Sequence, residues 1–370
     1  MKICFVAQNI YPPLSKSTII QGIGGAELQQ IFIGKGLKSR GHEISYITLD
    51  WGQPEGQIIE ELKIHKSFKP EEGYFGVRFL YPRLFKTWKA LERADADIYY
   101  VRCASYLVGI LALFCKIHQK KFVFAGAHDT DFIPNQLRLP TKRDKLLHCY
   151  GLRRADAIVT QSAVQKKLLW KNFGLKCKII PNFFPYDIRK LPQSGKKLIL
   201  WVSKIRSWKR PEQFIHLAKS YPEETFVMIG GIPFRNKSFY YTIKNKAQKI
   251  KNIQFLGFQP LEITEGYFDR CKVFVNTSVY EGFPNTFLQA WRRGIPVISY
   301  VDPDNVIDKN KLGVVIKSEN ELHHALKTLL SKPQSNNDLI FNYYRQNHSL
   351  KVIDQYVSLF DDTFNENMKM

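Results

Sequence analysis

Short apolar runs alternating with helix-length amphipathic segments predict an α/β fold of two Rossmann-like, doubly wound parallel-sheet domains. Three observations carry this. Strand-like runs at 2–7, 43–49, 98–101, 122–125 and 157–160 are separated by segments long enough for the crossovers that parallel neighbours need. The same alternation restarts at residue 197. Between the two series lies PYDIRKLPQSG, residues 185–195, a polar stretch with two prolines and a glycine that reads as a hinge. At 370 residues the chain has room for two domains of roughly 100–200 residues each. The expected division is 1–190 and 191–349, with a helix over about 350–370 returning to the first domain.

In the first series, KICFVA (2–7) is a buried strand and the loop 8–24 follows. A helix is expected to open at Gly24–Gly25–Ala26–Glu27 and run to Arg40, with Gly41 just past its end. EISYITL (43–49) is the next strand. In the second series, strands are expected at 197–203, 225–230, 253–256, 273–276, 296–299 and 314–316. Helices at 211–220, 238–249, 261–269 and 284–293 separate the first five of them. Residues 350–360 have an amphipathic helical pattern. Two such domains are expected to face each other across a cleft at the carboxyl ends of their strands, where ligands bind.

Composition narrows the function classes. Hydrophobic residues at 44% and aromatics at 14% exclude a disordered chain. The six cysteines form no CxxC pair and no metal-finger spacing with histidine, so they read as reduced thiols of a cytoplasmic protein. The longest apolar stretch, Tyr106–Cys115, is far short of the roughly 20 residues of a membrane helix. Net charge is +22, with an excess of +14 in residues 1–190 and +8 in the rest. That field attracts phosphates, lipid pyrophosphates or an anionic membrane. No zinc finger, RNP motif or basic zipper is present, so no nucleic-acid partner is expected.

Four segments can carry chemistry. Gly24 and Gly25 at a helix start let backbone N–H groups approach a phosphate; the plainer alternative is a simple turn. His128–Asp129–Thr130–Asp131 follows a strand directly. Its histidine suits a sugar hydroxyl, its Asp-x-Asp is a weak metal signal repeated at Asp95–Asp97, and the plain alternative is capping of the next segment. Ser203–Arg210 (SKIRSWKR) leaves the first strand of the second domain with four cations, as a departing diphosphate requires. The alternative is an exposed basic loop. The strongest segment is Ser278–Ala290, SVYEGFPNTFLQA. Pro284 suits a first helical turn, Gly282, Phe283 and Asn285 offer backbone N–H groups, and Gln289 shares a face with Asn285. A capped core helix is its plain alternative.

With these motifs in order, the chain resembles retaining glycosyltransferases of family 4, which have the GT-B fold. The resemblance spans roughly residues 2–330. Gly24–Gly25 matches the family's glycine loop and His128 its cleft histidine. Pro181–Asn182 matches its Pro-Asn before the hinge, and Ser203–Lys204 with Lys209 its Gly-Arg followed by Lys. Ile229–Gly230–Gly231 matches a glycine-ended strand and Phe255–Phe258 the next strand and loop. Glu281–Gln289 matches its E-x7-E helix, followed by Gly294–Ile298.

The resemblance implies roles. Lys204 and Lys209 would neutralise the leaving diphosphate, with a backbone N–H from Gly25. Glu281 would bind the donor sugar beside its reacting carbon. Gly282 to Asn285 would hold donor hydroxyls and phosphate, with Ser203 and Gly230 lining the same site. Gln289 would meet the ribose and Phe258 the base. No metal and no cofactor beyond the nucleotide-sugar donor is implied. The chain departs from the family at Lys204, which keeps charge but loses a bidentate fork, and at Gln289, an amide in place of the second glutamate. The expected acceptor is a glycan or lipid-linked glycan in surface-polysaccharide assembly. A stripe of Arg78, Phe79, Tyr81, Arg83, Phe85, Lys86, Trp88 and Lys89 suggests peripheral contact with the inner face of an anionic membrane, or simply a solvated basic helix. The alternative function is a GT-B protein that binds a sugar nucleotide or glycan without transferring it.

Overall fold

The computed structural model describes residues 1–17, 24–74, 76–185, 196–232, 237–331 and 337–365. It divides into two compact units, Met1–Pro185 with Leu350–Met370, and Tyr186–Ser349. The expected hinge lies outside the described residues from 186 to 195, as do residues 366–370 of the expected tail.

The first unit is built on an eight-stranded sheet. Its strands are β1 (Lys2–Val6), β2 (Glu43–Thr48), β3 (Gln57–Ile59), β4 (Leu62–Lys66), β5 (Ile98–Arg102), β6 (Lys121–Ala125), β7 (Ala157–Thr160) and β8 (Lys178–Ile179). The order across the sheet is β3-β4-β2-β1-β5-β6-β7-β8, and every pair is parallel except β3 with β4. All five residues of β5 are buried, as a parallel strand covered on both faces requires.

The hairpin β3–β4 and the two-residue β8 are absent from the sequence reading. The hairpin turns through Glu60 and Glu61, both left-handed at φ +48° and +63°. Glycine and asparagine usually mark such turns. Two glutamates give no such mark, and strands as short as β3 and β8 show no clear period.

Close approach explains two glycine positions. A Cβ on Gly34 would stand 1.9 Å from the Tyr46 hydroxyl, which donates to the Gln30 carbonyl at 2.9 Å. Phe5 in turn stacks on Tyr46 with centroids 5.2 Å apart. Between helices Leu107–His118 and Lys142–Leu152, a Cβ on Gly151 would lie 2.1 Å from the Val108 carbonyl oxygen.

The helix opened by the glycine pair spans Gly25–Lys38, ending before Arg40, because Ser39 caps it. The C-terminal helix Ile353–Asn365 packs on it within the same unit. Ile353 fills the space beside Gly36, Arg40 pairs with Asp354 at 2.9 Å, and Tyr356 and Phe360 are buried.

The second unit carries a six-stranded, wholly parallel sheet of β9 (Leu198–Val202), β10 (Thr225–Ile229), β11 (Ile253–Gly257), β12 (Cys271–Asn276), β13 (Val297–Ser299) and β14 (Gly313–Val315). Its order is β11-β10-β9-β12-β13-β14. The chain therefore moves outward in one direction from β9 and resumes on the other side at β12. The first sheet reverses in the same way between β1 and β5. Loops diverge at such a switch point and leave a crevice beyond the strand ends.

Candidate functional site

In the second unit the switch-point loops are those that follow β9 and β12. The β9 loop is pressed onto the end of β10: Ser203 N–H donates to the Ile229 carbonyl at 3.1 Å and Gly230 N–H to Gly257 at 2.8 Å. Only a glycine allows this approach, since a Cβ on Gly230 would stand 2.3 Å from the Ser203 oxygen. Ile205 anchors the loop in the core with no exposure. Ser203 and Lys204, just before this anchor, are half-buried. A short 3-10 turn, Ser207–Lys209, follows, and Arg210 at φ +45° redirects the chain into helix Pro211–Lys219.

The β12 loop is stitched to that turn. Thr277 Oγ1 accepts from the buried Trp201 indole at 3.0 Å and donates to the Lys209 carbonyl at 2.5 Å. The Thr277 carbonyl accepts from Arg210 Nε at 2.9 Å. Val279 N–H donates to the Trp208 carbonyl at 2.9 Å. Trp208 stacks on Tyr280 with centroids 6.1 Å apart. These bonds fix two loops 70 residues apart in sequence, and so bring Lys209 Nζ onto Glu281 Oε1. The same oxygen accepts the Ser278 hydroxyl at 2.7 Å. The two side chains are 14% and 18% exposed. A partly desolvated ion pair in this position keeps both charges at the mouth of the crevice. An ammonium carries three N–H donors, so Lys209 can hold Glu281 and still present a donor to an anion.

The helix after Glu281 is shorter than the sequence suggests. It spans Asn285–Trp291, and Pro284 lies just before it as the capping residue rather than in its first turn. Phe283 is a core wedge, with its ring 6.1 Å from Trp291 and 5.1 Å from His348. Its side chain and that of Pro284 are buried, leaving Gly282 and Asn285 as the half-buried members of the turn.

Gln289 is 4% exposed. Its amide nitrogen donates to Glu265 Oε1 at 2.6 Å. The other Glu265 oxygen takes Arg292, and Arg293 at 2.8 Å. Glu265, Ser278 and Thr277 supply site geometry, yet only Ser278 falls within a segment that the sequence singles out. Nothing around Glu265 in LEITEGYFD distinguishes it from any exposed helix acid. Phe258 is half-buried beyond the left-handed Gly257 that ends β11.

In the first unit, Gly24 is the extended N-cap residue of helix Gly25–Lys38, and Glu27 folds back over it, so a Cβ there would lie 1.9 Å from Glu27 Oε2. At the switch point itself, Gln8 after β1 bonds the Tyr106 hydroxyl after β5 at 2.6 Å. Cys103, left-handed at φ +77° just past β5, has its thiol pushed well up by burial and by the charges of Asp131 and Glu27.

His128 follows β6 and caps the turn Asp129–Phe132, its Nδ1 accepting from Thr130 N–H at 3.2 Å. Asp131 is also a capping group: Oδ2 accepts the N–H groups of Ala127 at 2.8 Å and His128 at 3.0 Å. Asp131 thus serves turn geometry, while Asp129 Oδ1 accepts from the Gln165 amide at 3.2 Å. Among the described residues no group of three or more His, Cys, Asp or Glu could hold a metal ion, and no helix is long and apolar enough to cross a membrane.

Comparison with known proteins agrees with the two-unit α/β fold. Residues 23–187 match the family model for Glycosyltransferase Family 4, and residues 185–346 that for Glycosyl transferases group 1. An uncharacterized glycosyltransferase of Haemophilus influenzae is 23% identical over 332 residues, 85% of this chain and 89% of that one. Another, from Methanocaldococcus jannaschii, is 26% identical over 175 residues, and that match spans 42% of each chain. Among solved structures, sucrose-phosphate synthase from Thermosynechococcus elongatus superposes with a TM-score of 0.76 at 16% identity, covering 99% of this chain and 100% of that one. With both units matched in order by the two family models, the chain belongs to glycosyltransferase family 4 and has its GT-B fold.

Proposed function

We propose that this protein transfers a sugar from a nucleoside-diphosphate sugar to a glycan or lipid-linked acceptor with retention of anomeric configuration. The observation that carries the reading is the Lys209–Glu281 pair at the switch point of the second sheet. A cation beside an anion suits the junction of a donor's diphosphate and its sugar, which supports the reading.

In this reading Lys209 and Lys204 stabilise the charge that grows on the departing diphosphate. Glu281 lies beside the reacting carbon. The bond from that carbon to the phosphate oxygen breaks while a bond to the acceptor oxygen forms on the same face. The acceptor proton passes to the departing phosphate oxygen, so the step balances without a further base. His128 holds a sugar hydroxyl. No metal is required in this scheme; chelation is expected to leave turnover unchanged.

The acceptor-side proposal rests on an exposed apolar stripe. Leu80, Tyr81 and Phe85 are 63%, 59% and 52% exposed. The cations beside them are partly engaged, Lys86 with Glu72 and Lys89 with Glu92 at 2.8 Å. Aromatic residues flanked by lysine and arginine suit the headgroup region of a membrane. A cytoplasmic enzyme resting on the inner membrane face while extending a lipid-linked surface glycan fits that stripe.

The deciding experiment incubates the protein with UDP-, GDP- and ADP-sugars and follows product. Donor hydrolysis or transfer supports the proposal. Saturable binding without product makes the protein a binder, and no binding to any of them overturns the donor reading.

A further inference from the structure

Gln289 stands where the family resemblance places a second glutamate, and the structure contains a physical reason for the amide. Its nitrogen donates to Glu265 Oε1 at 2.6 Å across the gap between helices Leu261–Asp269 and Asn285–Trp291. A glutamate at 289 would put two carboxylates in hydrogen-bond contact, and two such groups cannot both stay ionised in a site this dry. Glu265 is in turn fixed by Arg292 and Arg293. Arg293 Nη1 also donates to the Gln289 backbone carbonyl at 3.0 Å, leaving the side-chain amide oxygen out of that bond, and its guanidinium reaches Asp269 at 2.6 Å. Burial pulls the Arg292 guanidinium below its usual range, and the Glu265 carboxylate beside it opposes that shift.

We infer that Glu265 is a positioning residue for donor binding, acting through the Gln289 side-chain amide that it holds. With the amide nitrogen committed to Glu265, the Gln289 carbonyl oxygen is turned away from that carboxylate and acts as the acceptor for a ribose hydroxyl. Without Glu265 the amide is free to flip and offer either end. The inference rests on the donor-site reading above and adds to it the residue that sets the chemistry of the ribose contact.

The test titrates the full chain with UDP, GDP and ADP, and then with the 2′-deoxy form of whichever binds most tightly, using calorimetry. Three variants accompany the wild type: Glu265→Gln, Gln289→Glu, and the double exchange. Wild type is expected to prefer the ribose form. Glu265→Gln should lose most of that preference, about three- to tenfold, the range for one neutral hydrogen bond. Gln289→Glu should weaken binding by a similar factor.

The double exchange restores one carboxylate facing one amide and should recover the preference. It also keeps a negative charge in the cluster should either single variant fold poorly; recovery by the double variant then supports the carboxylate–amide pairing by itself. An unchanged preference in Glu265→Gln, or a double variant no better than the worse single, overturns the inference while leaving the donor reading intact. Absence of binding by wild type to all three nucleotides overturns both.

Discussion

Lys209 and Glu281 meet on a single carboxylate oxygen that also accepts the Ser278 hydroxyl at 2.7 Å. The two residues lie on loops that leave adjacent parallel strands, β9 and β12, in opposite directions across the sheet. Thr277 holds the loops together by bonding to the Lys209 backbone and the Trp201 indole. The pair is thus oriented before any ligand arrives, which is the condition for electrostatic catalysis without reorganisation.

Replacing Lys209 by alanine is expected to lower turnover by about 10²-fold or more, the scale for losing one preorganised charge at a site of developing negative charge. Glu281→Gln should have an effect of similar size. Steady-state rates with the accepted donor sugar, alongside circular dichroism, measure this; near-native turnover in either folded variant contradicts the assigned role.

Gly230→Ala is expected to impair the site by moving its backbone. The added methyl would collide with the Ser203 carbonyl at 2.3 Å and with Ile205. The loop carrying Lys204 must then shift, at about 1–3 kcal/mol for an overpacked position. Thermal unfolding and kcat report it together, and a variant unchanged in both would show that the loop is freely displaceable.

Gly151→Ala should destabilise the first unit without touching either loop of the second. Its methyl would stand 2.1 Å from the Val108 backbone oxygen, so two helices must separate, again at about 1–3 kcal/mol. Chemical denaturation gives the loss directly. A fully stable variant would mean the helix crossing tolerates separation.

Acid should loosen the turn that carries His128. His148 lies beneath it, buried, and its Nε2–H donates to the Asp131 carbonyl at 2.9 Å. Burial holds its pKa below the ordinary value of 6.5. The unfolded chain therefore binds the proton first, and the stability supplied by the neutral ring is lost as pH falls through and below 6.5. Unfolding followed from pH 7.5 to pH 5.5, roughly the window in which an ordinary histidine titrates, should show a smaller decline in His148→Gln. Parallel curves for the two proteins would refute the role.

Membrane association is expected to depend on apolar contact as well as charge. Serine at both Tyr81 and Phe85 should cut co-sedimentation with phosphatidylglycerol vesicles several-fold, since each aromatic ring removed costs about 1.5–3 kcal/mol of burial at most. Binding to phosphatidylcholine vesicles should be weak throughout. Equal sedimentation of variant and wild type would remove the stripe from the interface.

Much of this fold was legible because parallel strands buried on both faces are short continuous apolar runs, and KLILWVS or TFVMIG stand out against polar flanks. Glu281 and Lys209 were legible as well, since strand-end loops of an α/β domain are where such residues gather. The β3–β4 hairpin was not, because its turn residues are glutamates forced to positive φ. Helix Asn285–Trp291 was overestimated at both ends: Pro284 is extended at ψ 124° and so precedes the helix as its cap, and Gly294, at φ +67° against the Asn337 carbonyl, helps to end the turn that follows.

By itself the sequence determined the repeated strand–helix alternation, the two-unit division and the identity of the charged groups at the strand ends, because all three are written in local pattern. The tertiary structure alone decided that Asp131 is a capping group, that Phe283 is core, and that Gln289 belongs with Glu265. Each of these depends on partners brought together by packing, so which lone pair or ring edge is already occupied has no signature in any one segment.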